Sequence, residues 1–233
     1  MSQKLAVCCM LTTAVVLAIG ASSASAAVFS DGIFLDSNWT HWILWSVGTV
    51  SLGPVGQVLT GGNPNEYQQG RHMAPVAGSA LYDGHLFVGG GSYNPGTQGA
   101  IATIDVSYDY KDIAGVFTTQ NGLMIVQGSR TFIYFVDSAG PHPQWTSLSV
   151  NGIIGIWNPA WVELTGGVIM NFTTPDFSAS GLPMTFGYYT FNQTVGFFTF
   201  DQTWGIDNFR VTVNPGTVPV ERTTWGQLKS LYR

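Results

Sequence analysis

Alternation with a period of two is what most limits how this chain can fold. In "IATIDVSYDY", Ile104, Val106, Tyr108 and Tyr110 face one way while Asp105, Ser107 and Asp109 face the other. That is the repeat of a strand with one buried side. "HWILWSVGTVSL", "LMIVQG", "TFIYFV", "GGVIMNF", "MTFGYYTF", "VGFFTF" and "IDNFRVTV" are likewise rich in aromatic and β-branched residues. Turn formers stand between them, as in "LGPVG", "TGGNPN", "YDGH", "GGGSYNPG", "AGPHP", "WNP" and "SGLP". Before Pro219 no segment sustains the i, i+3, i+4, i+7 spacing of a helix. Many short strands separated by turn clusters read as a sandwich or barrel. A chain of this length without an internal repeat suits one large antiparallel sandwich.

The N-terminus sets the expected compartment. Lys4 is followed by an apolar run over residues 5–19 and then by "ASSASA", where Ala24 and Ala26 fit an A-x-A cleavage site. This pattern reads as a signal peptide over residues 1–26, with the mature chain starting at Ala27. The competing reading, a membrane anchor, needs about 20 apolar residues, and the run is shorter. Cys8 and Cys9, the only cysteines, both fall in this leader. The mature chain therefore has no disulfide, thiolate nucleophile or thiolate metal site. Its stability must come from the core or from bound ions. Losing Lys4 leaves 7 basic against 13 acidic residues, a balance that argues against nucleic acid as a partner. The expected location is secreted, extracellular or periplasmic, with no membrane span in the mature chain.

Beyond the strands, "NPGTVPVER" carries Pro215 and Pro219 and reads as a linker. In "TTWGQLKSLYR", Thr224 and Gln227 have capping-box spacing, and Trp225, Leu228 and Tyr232 would share a helix face. Residues 215–233 are thus either a frayed end or a short amphipathic tail for a secretion or anchoring partner.

The search for catalytic chemistry returns little. His41, His72, His85 and His142 lack metal-ligand spacing, and no H-E-x-x-H, G-x-S-x-G or phosphate loop is present. Asp105 and Asp109 share a strand face about 13 Å apart at 3.3 Å per residue. That is too far for a retaining glycosidase pair and long for an inverting one.

Five stretches occur in a recognisable order: "FSDGIFLDSNW", "TGGNPNEYQQ", "GAIATIDVSYDYK", "PDFSASGLPMTFGYYT" and "GIDNFRVTV". The set resembles a group of uncharacterised bacterial secreted proteins with a jelly-roll domain. These are similar in turn to laminin-B-like, concanavalin-like and carbohydrate-binding-module sandwiches. The resemblance implies an antiparallel jelly-roll β-sandwich over residues 27–214. It also implies a structural Ca²⁺ tying the first strand to the last, with Asp31 in "SDG", Asp207 in "IDN", and Gly61 and Asn63 in "GGN" as its ligands. Oxygen-rich side chains and carbonyls at glycine turns are what Ca²⁺ requires. The alternative is that Asp207 and Asn208 cap a turn at the mouth of the last strand.

Eight tryptophans invite a search for a sugar surface, because sugar rings stack on flat aromatic faces. Tyr67, Tyr93, Trp145, Trp157 and Trp161 stand in loop-like contexts. The reading that results is a secreted, non-catalytic binding module for a carbohydrate or cell-surface polymer. The alternatives are a structural or adhesive surface protein and a polysaccharide-degrading enzyme.

Overall fold

The structure, a computed structural model, describes residues 25–115, 119–137, 140–155, 160–194 and 198–216. The leader through residue 24, the tail from residue 217 and Trp157 lie outside the described residues. In chain order the first strands are β1 (Ala27–Asp31), β2 (Trp39–Val47), β3 (Ser51–Leu52), β4 (Gly56–Gly62) and β5 (Asn65–Ala74). Next come β6 (Ala80–Phe87), β7 (Ile101–Ala114), β8 (Gln120–Gln127), β9 (Arg130–Asp137) and β10 (Thr146–Ile153). The last are β11 (Trp161–Thr165), β12 (Val168–Asn171), β13 (Met184–Gln193) and β14 (Phe200–Pro215). A one-turn helix, α1 (Pro95–Gln98), follows Asn94, whose side chain caps it by accepting from the Gly96 N–H.

The strands form two seven-stranded antiparallel sheets in a jelly-roll sandwich. Sheet A runs β10-β7-β14-β5-β3, with β1 also on β14 and β4 on β5, and sheet B runs β12-β11-β9-β8-β13-β6-β2. The 16-residue β14 is central. Along one side it pairs with β7. Along the other its first half pairs with β5, from Phe200↔Ala74 to Ile206↔Gln68, and its second half with β1, from Phe209↔Asp31 to Val213↔Ala27. The register against β7 shifts between Asp207 and Arg210, and Asn208 sits at φ 52°. This bulge changes the alternation. Gln202, Trp204 and Ile206 point inward before it, and Phe209, Val211 and Val213 after it.

The core fills from both sheets as the period-two pattern requires. Ile104, Val106, Tyr108 and Tyr110 of β7 are all buried against Leu123, Ile125, Phe132 and Phe186 of sheet B. Trp39 lies at one focus of this packing, with Phe34 and Phe87 stacked at 5.2 and 5.0 Å and Phe209 edge-on at 5.3 Å. One region of the interior is polar. His72 of β5 reaches across from sheet A, with Nδ1 2.7 Å from Asn192 Oδ1 and Nε2 3.4 Å from Asp83 Oδ2. His85 Nε2 lies 2.9 Å from the same carboxylate oxygen, and all three side chains are fully buried. His85 is also stacked on Tyr188 at 4.5 Å. Burial pushes the Asp83 carboxyl upward, but the His85 and His72 imidazoles outweigh it and hold the group below the usual carboxylate range. Burial lowers the His85 imidazole, and Asp83 offsets this only in part. Asp83 is thus the anion of the group, and burial disfavours a charged His85 imidazole beside it.

Candidate functional site

The outward face of sheet A carries the most developed site among the described residues. Antiparallel pairing sets Gln69 and Lys111 on either side of Gly205, and Arg71 beside Thr203 in the next row. Side chains alternate along a strand, so Tyr67, Gln69 and Arg71 of β5 share this face. Trp145, just before β10, folds over it. The Tyr67 and Trp145 rings meet edge-to-face at 5.2 Å and 75°. Two hydrogen bonds fix them: Trp145 Nε1 donates to the Gly61 carbonyl at 2.8 Å, and Tyr67 Oη donates to Gln69 Oε1 at 3.0 Å. Gly205 makes room beneath. A Cβ there would stand 2.9 Å from Trp145 Cη2 and 3.0 Å from Tyr67 Cδ2, closer than side chains tolerate.

Beside this aromatic pair opens a cavity of about 520 Å³ lined by Pro54, Gln69, Arg71, Ala114, Asp201 and Thr203. Arg71 grips Asp201 through Nε and Nη2. The hydrogen bond and charge of Asp201 raise the guanidinium, while Arg71 lowers the carboxyl. Lys111 Nζ lies 6.0 Å from the centre of the Trp145 ring, near enough for a cation–π attraction.

On the other side of the aromatic pair lies a hydrogen-bonded clasp. Asp207 Oδ2 accepts from the Asn63 N–H at 2.5 Å and Oδ1 from the Asn208 N–H at 2.7 Å. The Asn208 amide donates to Asp109 Oδ2 at 2.7 Å and to the Asn63 carbonyl, and the Asn63 amide donates to Asp109 Oδ2 at 3.1 Å. Ser147 Oγ donates to Asp109 Oδ1 at 2.5 Å. Burial raises the Asp207 carboxyl, and the two backbone donors offset part of this.

Of the four residues expected to hold calcium, Asp207, Asn63 and Gly61 come together and Asp31 does not join them. Asp31 Oδ1 accepts from the Ile33 and Phe34 N–H groups, and Oδ2 from Trp39 Nε1, each at 2.9 Å. It is a turn cap anchored to the core. A protein N–H or O–H donor points at each carboxylate oxygen of Asp207 and Asp109, and among the described residues no three acidic, histidine or cysteine side chains form a metal-ligand group. The arrangement present does not fit the ion. Binding one would require the Asn63 and Asn208 donors to turn away.

Two of the expected ligand aromatics are core residues. Trp161 is fully buried, with Nε1 donating to the Ile154 carbonyl. Tyr93 bridges to Met184 and donates its hydroxyl to the Gln98 and Gly99 carbonyls, so its ring closes the edge of the sandwich. Turn-like flanks were misleading at both positions, because the chain passes straight from the turn into the core. Asp105, too, is structural, accepting from the Gly152 N–H and the Asn214 amide. Sequence reading missed Gly205, Lys111, Gln69 and Asp109. Only strand register brings them together, although the glycine between Trp204 and Ile206 was a visible signal of close approach. It also missed a second apolar cluster on the outward face of sheet B. There Tyr189, Met124 and Ile133 are surrounded by the half-buried Trp42, Trp45, Tyr82 and Phe135.

No family model matches the chain, and no curated protein matches it. Among solved structures it is similar to the carbohydrate-binding module CtCBM11, at 11% identity, TM-score 0.43, and coverage of 84% of this chain and 98% of that one. The family 30 carbohydrate-binding module of a Clostridium thermocellum cellulosomal cellulase is 12% identical at TM-score 0.44, covering 79% and 96%. The CBM22-1 xylan-binding domain from Paenibacillus barcinonensis Xyn10C is 10% identical at TM-score 0.39, covering 83% and 97%.

Proposed function

We propose that the protein is a non-catalytic carbohydrate-binding domain whose ligand lies along the outward face of sheet A. The observation that carries this reading is the Tyr67–Trp145 pair held over Gly205 beside a polar cavity. The half-buried Trp145 ring supplies the surface for the C–H face of a sugar, and Tyr67, itself only 7% exposed, braces it. Gln69, Thr203, Arg71 and Asp201 supply donors and acceptors for its hydroxyls. Catalysis has no comparable support: the neighbouring carboxylates Asp109 and Asp207 are tied by hydrogen bonds to Asn63, Asn208 and Ser147. Export belongs to the same reading, because a chain cut before Ala27 would begin at the first residue of β1.

Affinity electrophoresis through gels containing neutral plant and bacterial polysaccharides tests the proposal. Trp145→Ala should weaken retention about tenfold, or about 1.4 kcal/mol, with the melting temperature monitored in parallel. Retention unaltered by both Trp145→Ala and Tyr67→Ala would refute this location. A second reading places the sugar on sheet B, where Trp45 and Tyr82 meet edge-on at 6.0 Å and Tyr82 stacks on Phe191 at 4.0 Å. Trp45→Ala distinguishes the two faces.

A further inference from the structure

We propose that the sheet A groove takes an acidic saccharide, with Lys111 pairing with a carboxylate or sulfate on the chain. This rests on the carbohydrate reading above and narrows it.

Positive charge is scarce in this protein and is distributed unevenly. Among the described residues the only lysines and arginines are Arg71, Lys111, Arg130 and Arg210. Arg130 is committed to sheet B, where it pairs with the buried carboxylate of Glu163. Arg71 and Lys111 flank the groove in adjacent rows of sheet A, on strands either side of β14. Arg71 is neutralised by Asp201, but the fork uses only Nε and Nη2, leaving its remaining N–H groups at the cavity wall. Among the described residues Lys111 has no ion-pair partner. Its contact is the Trp145 ring at 6.0 Å, so its ammonium stands at the edge of the surface on which a sugar would stack.

Apart from Asp201, which is paired with Arg71, the acids described above lie on the other side. Asp109 and Asp207 belong to the clasp, and their oxygens accept from Asn63, Asn208 and Ser147. Neither carboxylate pairs with Lys111. The groove is therefore polarised, with Lys111 and the Arg71–Asp201 pair towards the cavity and two hydrogen-bonded acids beyond the aromatic pair. The ammonium can donate to a neutral glycan's hydroxyls, but only an anionic sugar would also pair with its charge. A uronate or sulfated sugar placed with its ring on Trp145 would meet the ammonium at the ring's rim and the Arg71 fork beyond it, and would keep its anionic group away from Asp109 and Asp207. Carboxylate and sulfate present the same oxygens to these donors.

Titration calorimetry on the purified protein, with oligogalacturonate, a sulfated galactan oligosaccharide and a neutral galactan oligosaccharide of equal length, decides the matter. At least one of the anionic ligands should bind about tenfold more tightly than the neutral one at low salt, with the advantage shrinking as salt screens the charges. Whichever anionic arm shows it names the group. Lys111→Gln should lower anionic binding about tenfold and neutral binding far less, so that the preference is lost, and Lys111→Arg should restore most of it. Equal binding of all three ligands, indifferent to Lys111→Gln, would overturn the proposal and leave the carbohydrate reading intact. Binding of none of them would overturn this proposal and leave the carbohydrate reading to the gel-retention test; binding insensitive to Trp145→Ala and Tyr67→Ala would overturn both.

Discussion

Asp83→Asn is the sharpest probe of how the two sheets are held together. The substitution keeps the shape and removes the charge that two imidazoles from different sheets converge upon. Disrupting a fully buried charged group while leaving its partners in place costs about 3 to 5 kcal/mol. For a domain of this size each kcal/mol is worth roughly 2 to 4 °C. Asp83→Asn should therefore melt about 6 to 20 °C below the wild type at pH 7, followed by near-ultraviolet circular dichroism. The pH dependence carries the sign. Asp83 titrates below its ordinary value in the folded state, so its stabilisation is present above about pH 4 and is lost on further acidification. His85 also titrates below its ordinary value, so the unfolded chain takes up a proton first. Stability then falls as pH drops below about 6.5, by at most about 1.4 kcal/mol per pH unit. Without the carboxylate to offset burial, His85 in the variant is depressed further, and its loss extends to lower pH. As pH falls below about 6.5 the gap should widen once the folded wild type takes up its His85 proton and the variant does not, and narrow again as Asp83 itself is protonated. A gap under about 2 °C at pH 7, or one constant across this range, would refute the assignment of Asp83 as the anion joining the sheets.

Other expectations are more local. Gly205→Val places a side chain where 2.9 Å separates a Cβ from Trp145; it should cost about 1 to 3 kcal/mol and abolish retention on polysaccharide gels, and unchanged retention would show that the aromatic pair is not the platform. Because protein donors point at the carboxylate oxygens of the clasp, melting curves in chelator and in millimolar calcium should agree within about 1 °C; a rise of several degrees that Asp207→Ala removes would restore calcium to this position. N-terminal sequencing of the exported protein should read from Ala27, and recovery of an intact Met1 on a membrane-retained form would exclude a cleaved leader.

Architecture was legible because strand periodicity is local. The inward set Ile104, Val106, Tyr108 and Tyr110 could be read directly, and the structure buries all four. The acid and amide at the mouth of the last strand also drew attention from sequence, but their role depends on pairing. Asp207 and Asn208 fall at the bulge where β14 exchanges β5 for β1 as its neighbour, and no pattern within one strand reveals that exchange. The same limit hid the polar core. His72 and His85 have no meaningful spacing in the chain, and they meet at Asp83 only because two sheets face each other. The aromatic candidates divided for a related reason. Tyr67 and Trp145 reached the groove by register, whereas Tyr93 and Trp161, in equally turn-rich surroundings, point into the core.

The central position of β14 has a consequence for the order of events during synthesis. Every long pairing in sheet A except those of β5 with β3 and β4, and of β7 with β10, runs through this strand, and Ala27 waits for Val213. At roughly 5 to 20 residues per second, β1 spends about 10 to 40 s without its only partner. The contacts that finish the sheet are also among the most distant along the chain, which places folding at the slow end for a domain of this size. Until its last strand emerges, the chain can pair all of sheet B, but sheet A has only the β3–β5, β4–β5 and β7–β10 pairings.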